Sequence, residues 1–196
     1  YSGAMSLFLR FCLNKKEHLP IVVLVYHKIT QAINKEINHN LTINHPLNNF
    51  IREMKFLKEY FHMVSLDEAV DAINNKSGLP KPTVAITFDD GFEDNYRLAL
   101  PILKKLKIPA TIFLTAGLIG TNKLPWVDEI GQVILQTKET AFQLNSCFKD
   151  TIFCLRGLKE KRKAHSEITS RLKELNYSER LNLTEEISCK LSTPKN

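Results

Sequence analysis

A chain of 196 residues, 43% apolar and 24% charged, is long and apolar enough for a globular domain with an appendage, and this composition excludes a disordered chain. Its 27 basic and 21 acidic residues leave a net charge of +6, too modest an excess to mark a nucleic-acid binder. The longest apolar runs, such as IVVLV at 21–25, fall far short of the roughly 20 residues that cross a bilayer, so no transmembrane helix is expected.

The N-terminal MSLFLRFCLNKK has a short apolar heart with its basic residues behind it and no small-residue cleavage site, so no export signal is read in this chain. Residues 1–18 are read as a tail, with 1–4 as a cloning scar ahead of Met5. Cytoplasmic and cell-envelope locations both stay open. Cysteines 12, 147, 154 and 189 show no C-x-x-C or zinc spacing and are expected to be reduced and mostly buried.

From Leu19 to Leu114, strand-like runs alternate with helical periodicity: IVVLV (21–25), MVSL (63–66), VAITF (84–88) and ATIFL (110–114). That alternation predicts parallel strands with helices packed outside. Phe50, Met54, Leu57 and Phe61 recur at helical spacing behind Pro46, with Asn48 and Asn49 as capping candidates. Ser65 and Glu68 form a capping box opening a second helix, which Gly78 and Pro80 end. The stretch between Phe88 and Ala110 suits one crossover helix, which Pro101 makes start late, near Leu98, or bend.

After Gly120 the pattern changes. PWVDEIGQVILQTKE suits a helix and TAFQLNSCFKDTIFCL a small β excursion. Leu155, Leu158, His165, Ile168, Leu172 and Leu175 mark one face of a long charged helix. Thr184 with Glu185 and Glu186 suggests the start of a last short helix. Residues 156–180 carry eight Lys or Arg against four Glu, which fits a solvated helix face.

The chemistry concentrates in VAITFDDGFEDNY (84–96), where a strand suited to burial runs into Asp89, Asp90 and Gly91. One reading is a polar turn, since Asp and Gly are ordinary turn formers. The other starts from position: ligand sites of parallel α/β folds gather beyond the carboxyl ends of strands, and adjacent carboxylates repel unless a cation or shared proton compensates.

VAITFDDGFEDNY followed by LALPILKKLKIPATIFLTAGLIG resembles the N-terminal half of the polysaccharide deacetylase family, the carbohydrate esterases related to chitooligosaccharide deacetylases. VYHKI (25–29), FIREMKFLKEYFHMVSLDEAV (50–70) and PWVDEI (125–130) occur in the same order in one branch of that family. The resemblance implies the first half of an irregular (β/α) barrel over residues 19–124, with a mainly helical insertion over 125–196. It implies Asp89 as catalytic base, Asp90 as ligand of a divalent metal (zinc first, cobalt or nickel as alternatives), and His27 and Gly91 at the border of the active site. The reaction implied is hydrolysis of the acetamide of an N-acetylated carbohydrate polymer or lipid-linked sugar to a free amine and acetate.

The family completes its metal site with an H-(S/T)-x-x-x-H motif, and none of the six histidines here (18, 27, 39, 45, 62 and 165) has that spacing. A truncated, inactive deacetylase portion with weak or no metal binding is therefore expected, one that self-associates through its exposed half-barrel surface. The alternatives are a non-catalytic binding or assembly module derived from the same fold and, third, an anion-binding protein of the membrane surface. His45 reads as a loop residue rather than a ligand, Trp126 as an anchor for the insertion helix, and Asp128 and Glu129 as acids of a helix start.

Overall fold

The computed structural model describes residues 21–31, 41, 44–75, 82–144, 148 and 151–192. The chain divides into two compact units, Tyr1–Ala32 with Asn44–Ala116, and Ile33–Ile43 with Gly117–Asn196. In chain order the first contains β1 (Ile21–Tyr26), β2 (Lys28–Thr30), β3 (Asn44–Pro46), α1 (Leu47–Tyr60), β4 (His62–Val64), α2 (Leu66–Asn74), β5 (Thr83–Phe88), a π-helical turn (Asn95–Ala99), α3 (Leu100–Leu106) and β6 (Ala110–Ile112).

β5 is the centre of a parallel sheet, and all six of its residues are buried, as its unbroken apolar run suggests. β1 pairs with it along its whole length, from Ile21 opposite Thr83 to Tyr26 opposite Phe88. On its other edge β4 pairs with the first half and β6 with the second, Ile112 lying opposite Phe88. The described strands form an open sheet; no closed barrel is present among them. A short parallel pair, β2 with β3, stands apart. Phe50, Met54 and Leu57 of α1 pack on Val84, Ile86 and Phe88, so the helical stripe and one face of β5 make a common core.

The helix boundaries follow capping chemistry. Ser65 and Glu68 form the reciprocal capping box of α2. α1 starts from Pro46 instead, without a side-chain cap, so Asn48 and Asn49 lie inside the helix and Asn49 accepts a hydrogen bond from Arg52 at 2.6 Å. Gly78 and Pro80 lie outside the described residues. The regular α-helix starts late, as expected, at Leu100 with Pro101 in its first turn and a π-helical turn ahead of it. Pro101 has no N–H for the Arg97 carbonyl, and the preceding turn widens so that Leu100 N–H reaches Asn95 O.

The second unit contains α4 (Trp126–Gln136), an antiparallel hairpin of β7 (Ala141–Leu144) and β8 (Thr151–Cys154), α5 (Leu158–Leu172) and α6 (Tyr177–Leu191). Ile130, Ile134, Leu144, Phe153, Ile168 and Ile187 are among its buried centre. Leu158, expected on the inward stripe of α5, is instead 37% exposed at its first turn. The last helix does not begin at Thr184. It begins behind Asn176, whose side chain and Glu179 form a second reciprocal capping box. Thr184 is buried in mid-helix, donating to Arg180 O at 2.8 Å. Cys154 and Cys189 are free and exposed rather than buried, because they occupy outward positions on β8 and α6; Cys12 and Cys147 lie outside the described residues.

Candidate active site

The tip of β5 is tied on both sides. Asp89 donates its backbone N–H to Tyr26 O at 2.9 Å, and Phe113 N–H donates to Phe88 O at 2.8 Å. The chain then turns at once: Asp90 has φ 70° and Gly91 φ 67°, both left-handed. Asp tolerates this region better than most side chains, whereas at Gly91 a β-carbon would also run into the Leu114 side chain. Asp89 and Asp90 are thereby both half-buried at the end of a fully buried strand. Thr115 Oγ1 lies 3.5 Å from Asp90 Oδ1 as its donor, a long bond on an exposed side.

His27 follows Tyr26 at the end of β1 and is half-buried between β1 and β2. Next to it, two contacts connect β2 to the turn carrying the acids. Lys28 Nζ sits 4.4 Å from the centre of the Phe92 ring, and Ile29 N–H donates to Asp94 Oδ1 at 3.1 Å. Burial pushes the Asp94 carboxyl above its usual range, partly opposed by the Ile29 amide and Lys28. Sequence reasoning assigned Asp94 no part, because its partner lies 65 residues away.

His45 lies on β3 rather than in a loop. Its Nε2 is 2.9 Å from Glu53 Oε2, and its ring stands edge-on to Tyr26 at 5.4 Å. The Tyr26 hydroxyl donates to the same Oε2 at 3.0 Å. Burial, with Glu53 second, pushes the Tyr26 phenol far above its ordinary value. Burial alone would raise the Glu53 carboxyl, but His45 and Tyr26 outweigh it and hold Glu53 below its usual range.

In the second unit Trp126 packs partly against the core, with the Arg180 guanidinium 5.5 Å from its ring centre. Asp128 and Glu129 fall in the first turn of α4, and Glu129 Oε1 accepts from Ser188 Oγ at 2.9 Å. The basic run of α5 is not solvated throughout: Lys161 Nζ donates to the carbonyls of Leu135 and Thr137 at 2.8 and 3.1 Å, closing the end of α4.

A catalytic divalent metal usually takes three protein ligands. Among the described residues no three His, Cys, Asp or Glu side chains gather in that way, and His45 is already engaged by Glu53. The residues present do not fit a complete metal site. What they place at the strand tip is one carboxylate, Asp89, beside another set in a left-handed turn, Asp90.

Two adjacent carboxylates thus stand at the strand tip of an α/β scaffold. Residues 76–146 match the family model described as polysaccharide deacetylase. Over 134 residues the chain is 34% identical to the poly-beta-1,6-N-acetyl-D-glucosamine N-deacetylase of Staphylococcus aureus, covering 67% of this chain and 46% of that protein. It is 34% identical over 107 residues to the polysaccharide deacetylase relative YxkH of Bacillus subtilis, 54% of this chain and 35% of the other. Among solved structures, the Streptococcus pyogenes deacetylase PplD in complex with acetate aligns with 28% identity and a TM-score of 0.47, over 59% of this chain and 51% of that one. The chain belongs to the polysaccharide deacetylase family, and it spans less than half the length of these curated relatives.

Proposed function

We propose that this chain carries the acid–base side of an N-acetyl amino sugar deacetylase. Asp89 acts as general base, taking a proton from the water as its oxygen bonds to the acetamide carbonyl carbon; the C–N bond then breaks as a proton is returned to the nitrogen, giving acetate and a free amine. Asp90 is the side chain that a divalent cation would take, with zinc the first expectation. Further ligands do not gather beside it among the described residues, so these residues alone make an inactive portion. Poly-β-1,6-N-acetylglucosamine is the substrate class of choice, because a relative is named for acting on it.

The observation that carries this reading is the pair of half-buried acids on the tip of a fully buried strand, one of them held in a left-handed conformation. Zinc titration by calorimetry tests it. Weak binding that Asp90→Ala removes supports a single-ligand remnant of the site. Binding unchanged by Asp90→Ala refutes the role given to Asp90.

A second reading, assembly, is favoured by apolar exposure in the first unit: Val23 is 44% exposed, Val25 52% and Phe113 50%. Self-association through this surface predicts a concentration-dependent sedimentation coefficient that Val25→Lys lowers to the monomer value. A monomer at all concentrations removes that reading.

A further inference from the structure

We infer that Glu53, 36 positions before Asp89 and on a different element, is a positioning residue for Asp89, acting through Tyr26. The inference rests on the proposed role of Asp89 as base. The first link is the Tyr26 carbonyl, which accepts the Asp89 amide at 2.9 Å. It is the ladder bond from β1 to the residue just past the end of β5, and the left-handed pair begins immediately after it. Where that amide points sets where the Asp89 side chain leaves the strand.

Tyr26 is held in turn by its side chain. Its ring stands edge-on to Phe50 at 5.2 Å and tilted to Phe88 at 5.6 Å, and its hydroxyl ends on Glu53 Oε2. Glu53 projects from α1 between buried Phe50 and Met54, a rigid base for the carboxylate. His45 Nε2 lies 2.9 Å from the same oxygen, at ion-pair distance, so the carboxylate brings β1, β3 and α1 together. A half-buried carboxylate that accepts from a phenol and faces an imidazole is a costly group to retain for surface solvation alone. Its result is that the last residue of β1 has a fixed ring as well as a paired backbone.

Amide hydrogen exchange, read residue by residue in the full chain, tests this with no requirement for activity. Glu53→Gln and Tyr26→Phe are compared with the parent, the second variant serving if the first folds poorly. Both are expected to speed exchange of the Asp89 amide on the order of tenfold, the loss of about one charged hydrogen bond, while Val84 to Phe88 keep their protection. The double variant is expected to add nothing further. Unchanged Asp89 exchange in the folded variants overturns the inference, as does equal acceleration along all of β5, which marks a purely structural role. Failure of the proposed chemistry would appear instead as acetate release by the chain, once completed by a relative's missing part, that Asp89→Asn leaves unchanged, with this exchange pattern intact.

Discussion

The Leu114 side chain occupies the space that a β-carbon on Gly91 would need, and Gly91 itself sits at φ 67°. Two separate costs therefore meet any substitution there. Gly91→Ala is expected to destabilise the first unit by about 1 to 2 kcal/mol, chiefly through the left-handed backbone. Leu114→Ala in the same chain relieves the collision but leaves the backbone cost. Urea unfolding of the single and double variants separates them; full rescue by Leu114→Ala would show that sterics alone were at stake.

Asp90 pairs a left-handed φ with a neighbouring acid, and each opposes stability. Asparagine accepts the same backbone and removes the charge. Asp90→Asn is therefore expected to gain about 0.5 kcal/mol in thermal or urea unfolding while losing whatever weak metal affinity the chain has. A loss of stability would mean that the Thr115 hydroxyl, 3.5 Å from the carboxylate, stabilises it by more than the neighbouring acid repels it.

His165 offers a pH signature in the second unit. Its Nε2 is 3.1 Å from Val127 O, which can only accept, so that nitrogen carries the proton of the neutral ring. Burial holds its pKa below the ordinary 6.5, with the Val127 carbonyl and Asp128 opposing less strongly. Below that ordinary value the unfolded chain binds a proton that the folded one resists. The stabilisation is present above pH 6.5 and is lost as pH falls through the lower folded value. The melting temperature followed by fluorescence of Trp126, the one tryptophan, should fall as pH drops below 6.5, and His165→Gln should flatten that slope.

Lys161 and Lys163 are neighbours with different work. Lys161 closes two carbonyls at the end of α4, whereas Lys163 makes only a 3.8 Å exposed pair with Glu167 among the contacts described. Lys161→Met is expected to cost the second unit about 1 to 2 kcal/mol and Lys163→Ala less than about 0.5 kcal/mol, by the same fluorescence assay. Equal effects would refute the capping role.

The parts of the fold readable in sequence were those encoded locally. VAITF predicts β5 because an unbroken apolar run bounded by turn formers has few other uses, and Ser65 with Glu68 announces α2 within four residues. Thr184 misleads, since threonine followed by two glutamates suits a helix start and a helix interior alike; its hydroxyl goes back to Arg180 instead of forward. The true signal, Asn176 with Glu179, was present and of the same kind as Ser65 with Glu68. The strand tip with Asp89 and Asp90 was legible. The supports around it were not, because Tyr26 to Glu53 and Ile29 to Asp94 span 27 and 65 residues and exist only after the sheet has formed.

The most direct test of the central claim joins this chain to the C-terminal remainder of the Staphylococcus aureus relative and measures acetate released from poly-β-1,6-N-acetylglucosamine with zinc present. The fusion should release acetate, and Asp89→Asn should abolish that release while leaving the fold intact by circular dichroism. Undiminished acetate release from the Asp89→Asn fusion would contradict the account.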